Sequence, residues 1–176
     1  MKRRSAIKNL MIIAGGIAIM PSCSGDPGKA SIALNKINIT ADQEALLAAI
    51  AETIIPVSDI QGAKNLNLHL FTLKMVDDCH NEEDQQNFIA GLNSIDRLAK
   101  DKYGNTFAKC DVKQRIDLLA AIAKEEGGTK EAAAFLKIAK RRIIQGFMNS
   151  KYVMTDLGKY ELVPGRYNGY FPVKQS

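Results

Sequence analysis

Asp77-Asp78-Cys79-His80 is the densest run of reactive side chains in this sequence: two carboxylates, a thiol and an imidazole in four consecutive positions. A cysteine nucleophile needs a base within about 2.6–3.2 Å to take its proton. Neighbours on a helix project about 100° apart, so adjacency alone does not make Cys79 and His80 a catalytic pair. Glu82-Glu83-Asp84 gathers three more acids. Asn81 stands just before them, and the set therefore reads as a helix start, where the positive end of the macrodipole favours carboxylates. No metal site is expected, because the chain has no Cys-x-x-Cys and its two histidines, His69 and His80, lie far apart. It has no haem attachment motif either. Ala14-Gly15-Gly16 falls in an N-terminal apolar run and Glu125-Glu126-Gly127-Gly128 follows no strand, so neither is a phosphate-cradling loop. The residues assign no catalytic, cofactor-binding or metal-binding role, and the chain reads as a folded, exported, non-catalytic helical domain.

Three cysteines enter the account differently. Cys23 follows Met1-Lys2-Arg3-Arg4-Ser5-Ala6-Ile7-Lys8, an apolar run from Leu10 to Met20, and Pro21-Ser22. The run is too short for a bilayer core that needs about 20 helical residues, and suits a signal-peptide core. Arg3, Arg4, Ile7 and Lys8 match the twin-arginine export pattern, with residues 1–22 as the signal. Ser22-Cys23 reads as a lipoprotein cleavage site that would lipidate Cys23; simple cleavage and an uncleaved anchor are the alternatives. Lipidation would anchor the protein to the membrane on the periplasmic side. Cys79 and Cys110 then remain in a compartment that permits disulfides, and two readings stand: a bridge, or two unpaired thiols.

Removing the signal also changes the electrostatics. Lys2, Arg3, Arg4 and Lys8 are four of 24 basic residues and no acid precedes Cys23, which leaves 20 basic residues against 19 acids and a net charge of +1. The whole-chain charge of +5 thus belongs mainly to the targeting segment, and nucleic-acid binding is rejected. The remaining length suits one domain with its own core.

The elements that position these residues are predicted to be helices. Residues 23–39 mix Ser, Gly, Asp, Pro and Lys with isolated aliphatics and read as a tether. Thr40-Ala41-Asp42-Gln43 forms a capping box, and the helix it opens, with Leu47, Ile50 and Ile54 inward, stops before Pro56. Residues 57–63 are a loop by composition. Leu66, Leu70, Leu73 and Val76 fit a second helix, although Leu66, Leu68 and Leu70 also alternate as a strand would. Asn81 caps a third with Phe88, Leu92, Ile95 and Ala99 buried. Asp111 and Gln114 open a fourth with a stripe of Val112, Ile116, Leu119 and Ala123. Thr129 caps a fifth, with Ala132, Leu136, Ala139, Ile143 and Phe147 inward and Lys137, Lys140, Arg141 and Arg142 solvated. The fold class is all-α: a bundle of about five helices over residues 40–150, followed by an extended, irregular segment, 151–176. That segment holds Pro164, Gly165, Arg166, Tyr167, Tyr170 and Phe171, aromatic-rich for a tail, so it docks either on its own bundle or on a partner.

Two stretches carry a resemblance. Ala45-Leu46-Leu47-Ala48-Ala49-Ile50-Ala51-Glu52-Thr53-Ile54-Ile55-Pro56, then Asp59, Gly62-Ala63, Phe71 and Asp78-Cys79, resembles the opening of the gluconate 2-dehydrogenase subunit 3 family. Asp156-Leu157-Gly158 and Val163-Pro164-Gly165-Arg166-Tyr167-Asn168-Gly169 resemble that family's closing segment. Asn168 replaces the usual Asp, and Tyr170 stands where members often have Cys, which argues against a disulfide to a partner there. The resemblance implies a small subunit of a periplasmic or membrane-associated sugar or polyol dehydrogenase. Its large subunit would hold FAD, and a cytochrome c subunit would complete some complexes. A stand-alone lipoprotein adaptor or scaffold is the alternative function.

Overall fold

The computed structural model describes residues 28–124, 126, 128–158, 165, 169 and 170. The signal residues Arg3, Arg4, Ile7 and Lys8, together with Cys23, lie outside the described residues, as do Pro164, Arg166, Tyr167 and Phe171 of the tail.

Each helix that opens on a polar cap does so because a side-chain oxygen takes an amide that the first turn leaves without a partner. Helix α1 (Ala41–Ile54) starts at the expected capping box: Thr40 Oγ1 accepts from the Gln43 amide at 3.2 Å and the Thr40 amide donates back to Gln43 Oε1 at 2.9 Å. Helix α3 (Glu82–Tyr103) starts at Asn81, whose side chain accepts from the Asp84 amide at 2.8 Å, and ends on Gly104 at φ 71. Helix α4 (Val112–Ala123) repeats the capping box with Asp111 and Gln114, and α5 (Lys130–Met148) is capped by Thr129. Helix α2 (Leu68–Cys79) settles the ambiguous leucine run as helix. It has no side-chain cap and begins after Asn67, which takes a left-handed φ of 51. A 3-10 turn, Phe107–Lys109, joins α3 to α4, and a π-helical turn, Tyr152–Leu157, follows α5 where extended chain was expected.

Helix α5 is the hub. It packs on α1, α2, α3 and α4, most extensively on α3, where the Phe88 and Phe135 rings meet at 4.9 Å. The α3 and α5 backbones approach so closely at Gly91 that an added Cβ would land on Phe135 Cβ and the Glu131 carbonyl. Gly146 gives α2 the same access, with Phe71 Cδ1 2.6 Å from where its Cβ would be.

The fourth stripe is corrected by the structure. Val112 and Ile116 are 69% and 50% exposed and Ala123 is exposed, while Leu118, Leu119 and Ile122 are buried. Arg115 causes this rotation. Its Nε donates to the carbonyls of Phe107 at 3.1 Å and Cys110 at 3.0 Å, and its guanidinium lies over the Phe107 ring. The 115, 118, 119, 122 face is therefore the inward one.

Residues 28–39 are not a free tether. Lys29 bridges Thr40, the Ala30 amide donates to Ile39 O at 3.0 Å, and the Ala41 amide donates to Gly28 O at 3.2 Å, closing the segment into a strap. Ile37 and Ile39 are buried in the core, with Ile32 and Leu34 packed against it. Two carboxylates hold the strap. Glu44 accepts the amide and hydroxyl of Ser31 at 2.6 and 2.7 Å, and Asp77, fully buried on α2, accepts the amides of Asn35, Lys36 and Ile37 at 2.8, 2.7 and 2.9 Å. Lys74 Nζ lies 3.6 Å from Asp77. Burial by itself pushes the Asp77 carboxyl up, but the three amides and the Lys74 ammonium more than offset it, and the group is held below its ordinary value.

Two outcomes follow from this packing. Gly91→Ala should destabilise the bundle by about 1–3 kcal/mol or more, because neither contacting backbone can yield without separating α3 from α5; urea unfolding measures this, and an unchanged midpoint refutes it. Asp77→Asn leaves one acceptor for three amides and should cost roughly 1–3 kcal/mol near neutral pH. Because the folded carboxyl titrates below the unfolded value of about 3.9, its contribution is present above that value and is lost as pH falls through the folded one. Stability of the wild type should therefore decline more steeply than that of Asp77→Asn below about pH 4, as read by thermal unfolding across a pH series.

Candidate functional site

The 77–80 run is dispersed by the geometry of α2. Asp77 points inward and is consumed by the strap, Asp78 faces out and pairs with Lys74 at 3.1 Å, and Cys79 is exposed at the helix end. His80, the C-cap of α2, turns its ring toward α3 and α5. Its Nδ1 lies 3.2 Å from Asp84 Oδ2, and its Nε2 lies 3.2 Å from Arg142 Nε and 2.9 Å from Arg142 Nη2. Arginine carries only donors, so Nε2 accepts and the ring proton sits on Nδ1, facing Asp84. Arg142 Nη1 continues the network to Gln145 Oε1 at 2.8 Å. With both ring nitrogens engaged, His80 has no lone pair free to act as a base for Cys79. Arg142, expected in solvent, is half-buried as the tie between three helices, whereas Lys137, Lys140 and Arg141 are exposed.

Of the two cysteine readings, the structure has two free thiols. Cys79 sits at the surface, while Cys110 is buried behind the 3-10 turn, its Sγ 4.0 Å from the Asn105 carbonyl. Burial pushes the Cys110 thiol up, with Arg115 opposing. Glu82 and Glu83 are exposed first-turn acids of α3.

His69, weighed from the sequence only as a metal ligand, is a buried polar group. Its Nε2 is 3.9 Å from Glu44 Oε1, its Nδ1 has no hydrogen-bond partner, and burial pushes its pKa down, Glu44 opposing and Lys64 adding to the fall. It behaves as a neutral core histidine beside the strap. A cleft of about 540 Å³ is lined by Gly128, Thr129, Lys130, Ala133, Ala134 and Lys137, which supply no carboxylate, thiol or imidazole. Among the described residues no group of three or more His, Cys, Asp or Glu is placed to hold a metal ion, and no helix is long and apolar enough to cross a membrane.

What this geometry offers is surface for association. Val112 and Ile116 on α4 are exposed, as are Ile144 and Met148 on α5 and Leu157 in the π-helical turn. Of the tail residues named from sequence, Gly165 and Tyr170 are described, and Tyr170 is 96% exposed. The α4 positions escaped the sequence reading because Val112 and Ile116 fit a helical period equally well as core.

The family model described as gluconate 2-dehydrogenase subunit 3 matches residues 41–165, from the first residue of α1 through the π-helical turn into the tail. No curated protein and no solved structure matches the chain. The strap lies N-terminal to the match, and the hub helix with everything packed on it lies inside. A match that takes in all five helices and well over half of the 176 residues settles the assignment: the chain belongs to the gluconate 2-dehydrogenase subunit 3 family.

Proposed function

We propose that this protein is the non-catalytic small subunit of an FAD-dependent sugar or polyol dehydrogenase, which it binds, stabilises and carries through export. The family match over the bundle is the observation that supports this reading. The chemistry agrees with it: the imidazole nearest the exposed thiol is bonded at both nitrogens, and the exposed apolar side chains suit an interface. FAD and the hydride chemistry belong to the large subunit in this proposal, and a cytochrome c subunit takes the electrons onward. The twin-arginine signal fits that division of labour. A bundle without a cofactor has no need to leave the cytoplasm folded, whereas a flavoprotein loaded with FAD there does, and one signal serves both. Cleavage before Cys23 and its lipidation would leave the complex anchored on the periplasmic side of the membrane.

Co-expression with a flavoprotein encoded beside it should yield a stable complex with a flavin absorption spectrum and sugar-dependent dye reduction. The purified single chain should show neither. Dye reduction by the single chain overturns the non-catalytic assignment, and failure to co-purify favours a stand-alone scaffold. Replacing Arg3 and Arg4 together by Lys should retain both proteins in the cytoplasm, as followed by fractionation; normal export of the flavoprotein in that variant shows that it travels by its own route.

A further inference from the structure

We infer that the strap holds the bundle against the membrane surface, with the end that carries the α1 N-terminus facing the lipid. The inference rests on the anchor in the proposed reading but not on the dehydrogenase partner. Were residues 23–39 a free tether, 17 steps of chain would separate Cys23 from Thr40, a reach of up to about 58 Å. The structure removes most of that length. Gly28 is already bonded to Ala41, Ser31 is held by Glu44, and Asn35, Lys36 and Ile37 are held by the buried Asp77. Five steps of chain separate Cys23 from Gly28, a span of at most about 17 Å whatever its conformation. If the apolar run ending at Met20 is retained as the anchor instead, the reach is eight steps, about 28 Å.

Because the chain enters the bundle beside Thr40 and Ala41, the short reach also sets orientation. The α1 start must face the membrane. Ile37 and Ile39, sunk into the core, and the two carboxylate clasps resist peeling of the strap, which would otherwise return the lost length to the tether. Glu44 and Asp77 are thus positioning residues for the whole assembly. A large subunit bound to this chain must then use faces away from the α1 start.

The test uses the full-length chain recovered in its membranes, with a fluorescent amino acid at Ala45, an exposed position one turn past the entry point, and an acceptor dye on lipid headgroups. Energy transfer should be strong in the wild type. Inserting ten Gly/Ser residues between Gly25 and Asp26 raises the maximum reach from about 17 to about 51 Å and the root-mean-square span of a flexible chain from about 12 to about 21 Å, and should reduce transfer by about half. The double variant Glu44→Ala/Asp77→Ala should reduce it similarly while circular dichroism shows the helices retained. The insertion leaves the bundle untouched, so it decides the matter if the double variant does not fold. Transfer in the wild type as weak as in the insertion variant overturns the inference, and so does recovery of the wild type outside the membrane fraction. Neither readout involves the flavoprotein, so failure of the dehydrogenase reading is seen separately, in the co-purification.

Discussion

The close seating of α5 against α3 is the contact on which the rest of the bundle depends. Two helices can approach to this distance only where one of them presents no side chain, and Gly91 supplies that opening opposite Glu131 and Phe135. With the backbones so close, the Phe88 and Phe135 rings meet at a 56° tilt inside the core, and the seam of Ala132, Leu136, Ala139 and Ile143 is buried along its length. Gly146 repeats the device one helix over, letting Phe71 of α2 lie across α5. Two glycines, Gly91 on α3 and Gly146 on the hub itself, therefore set how near α3 and α2 come to α5, and α1 and α4 close the bundle around that spacing.

Polar ties then fix what the apolar seam leaves loose. Hydrophobic burial is non-directional and would tolerate some sliding of α2 relative to α3 and α5. The Asp84, His80, Arg142, Gln145 chain does not tolerate it, because an arginine fork and an imidazole lone pair meet only over a narrow range of distance and angle. The same argument applies to Asp77. A buried carboxylate without partners would be strongly unfavourable, so the three strap amides and Lys74 are conditions for α2 to pack as it does, and the strap is in that sense part of the bundle.

Features settled by short-range chemistry were legible in the sequence. Thr40 with Gln43, Asn81 with Asp84, Asp111 with Gln114 and Thr129 with Ala132 each bond across three residues, and all four caps stand where the residue types place them. The inward faces of α3 and most of α5 followed from period alone. Features settled by distant partners were not legible. Asp77 finds the strap 40 to 42 residues away, and His80 finds Arg142 at a separation of 62. Nothing near either residue announces the partner. The α4 face was misplaced for a related reason: a charged residue is ordinarily assigned to solvent, yet Arg115 finds carbonyls on the preceding turn and takes Leu118, Leu119 and Ile122 inward with it.

These two classes of feature bear differently on function. The family match begins at α1, so the hub, the caps and the His80 tie lie within what the family model covers, while the strap lies before it. Asp77 and His80 are committed to internal bonds, and the bundle presents aliphatic side chains on α4, on α5 and in the π-helical turn. Covering exposed apolar groups removes them from water, and the family's place in a dehydrogenase complex supplies a reason for them to be at the surface. The helices thus set which apolar side chains lie at the surface, and the two carboxylates on α1 and α2 hold the strap on the bundle.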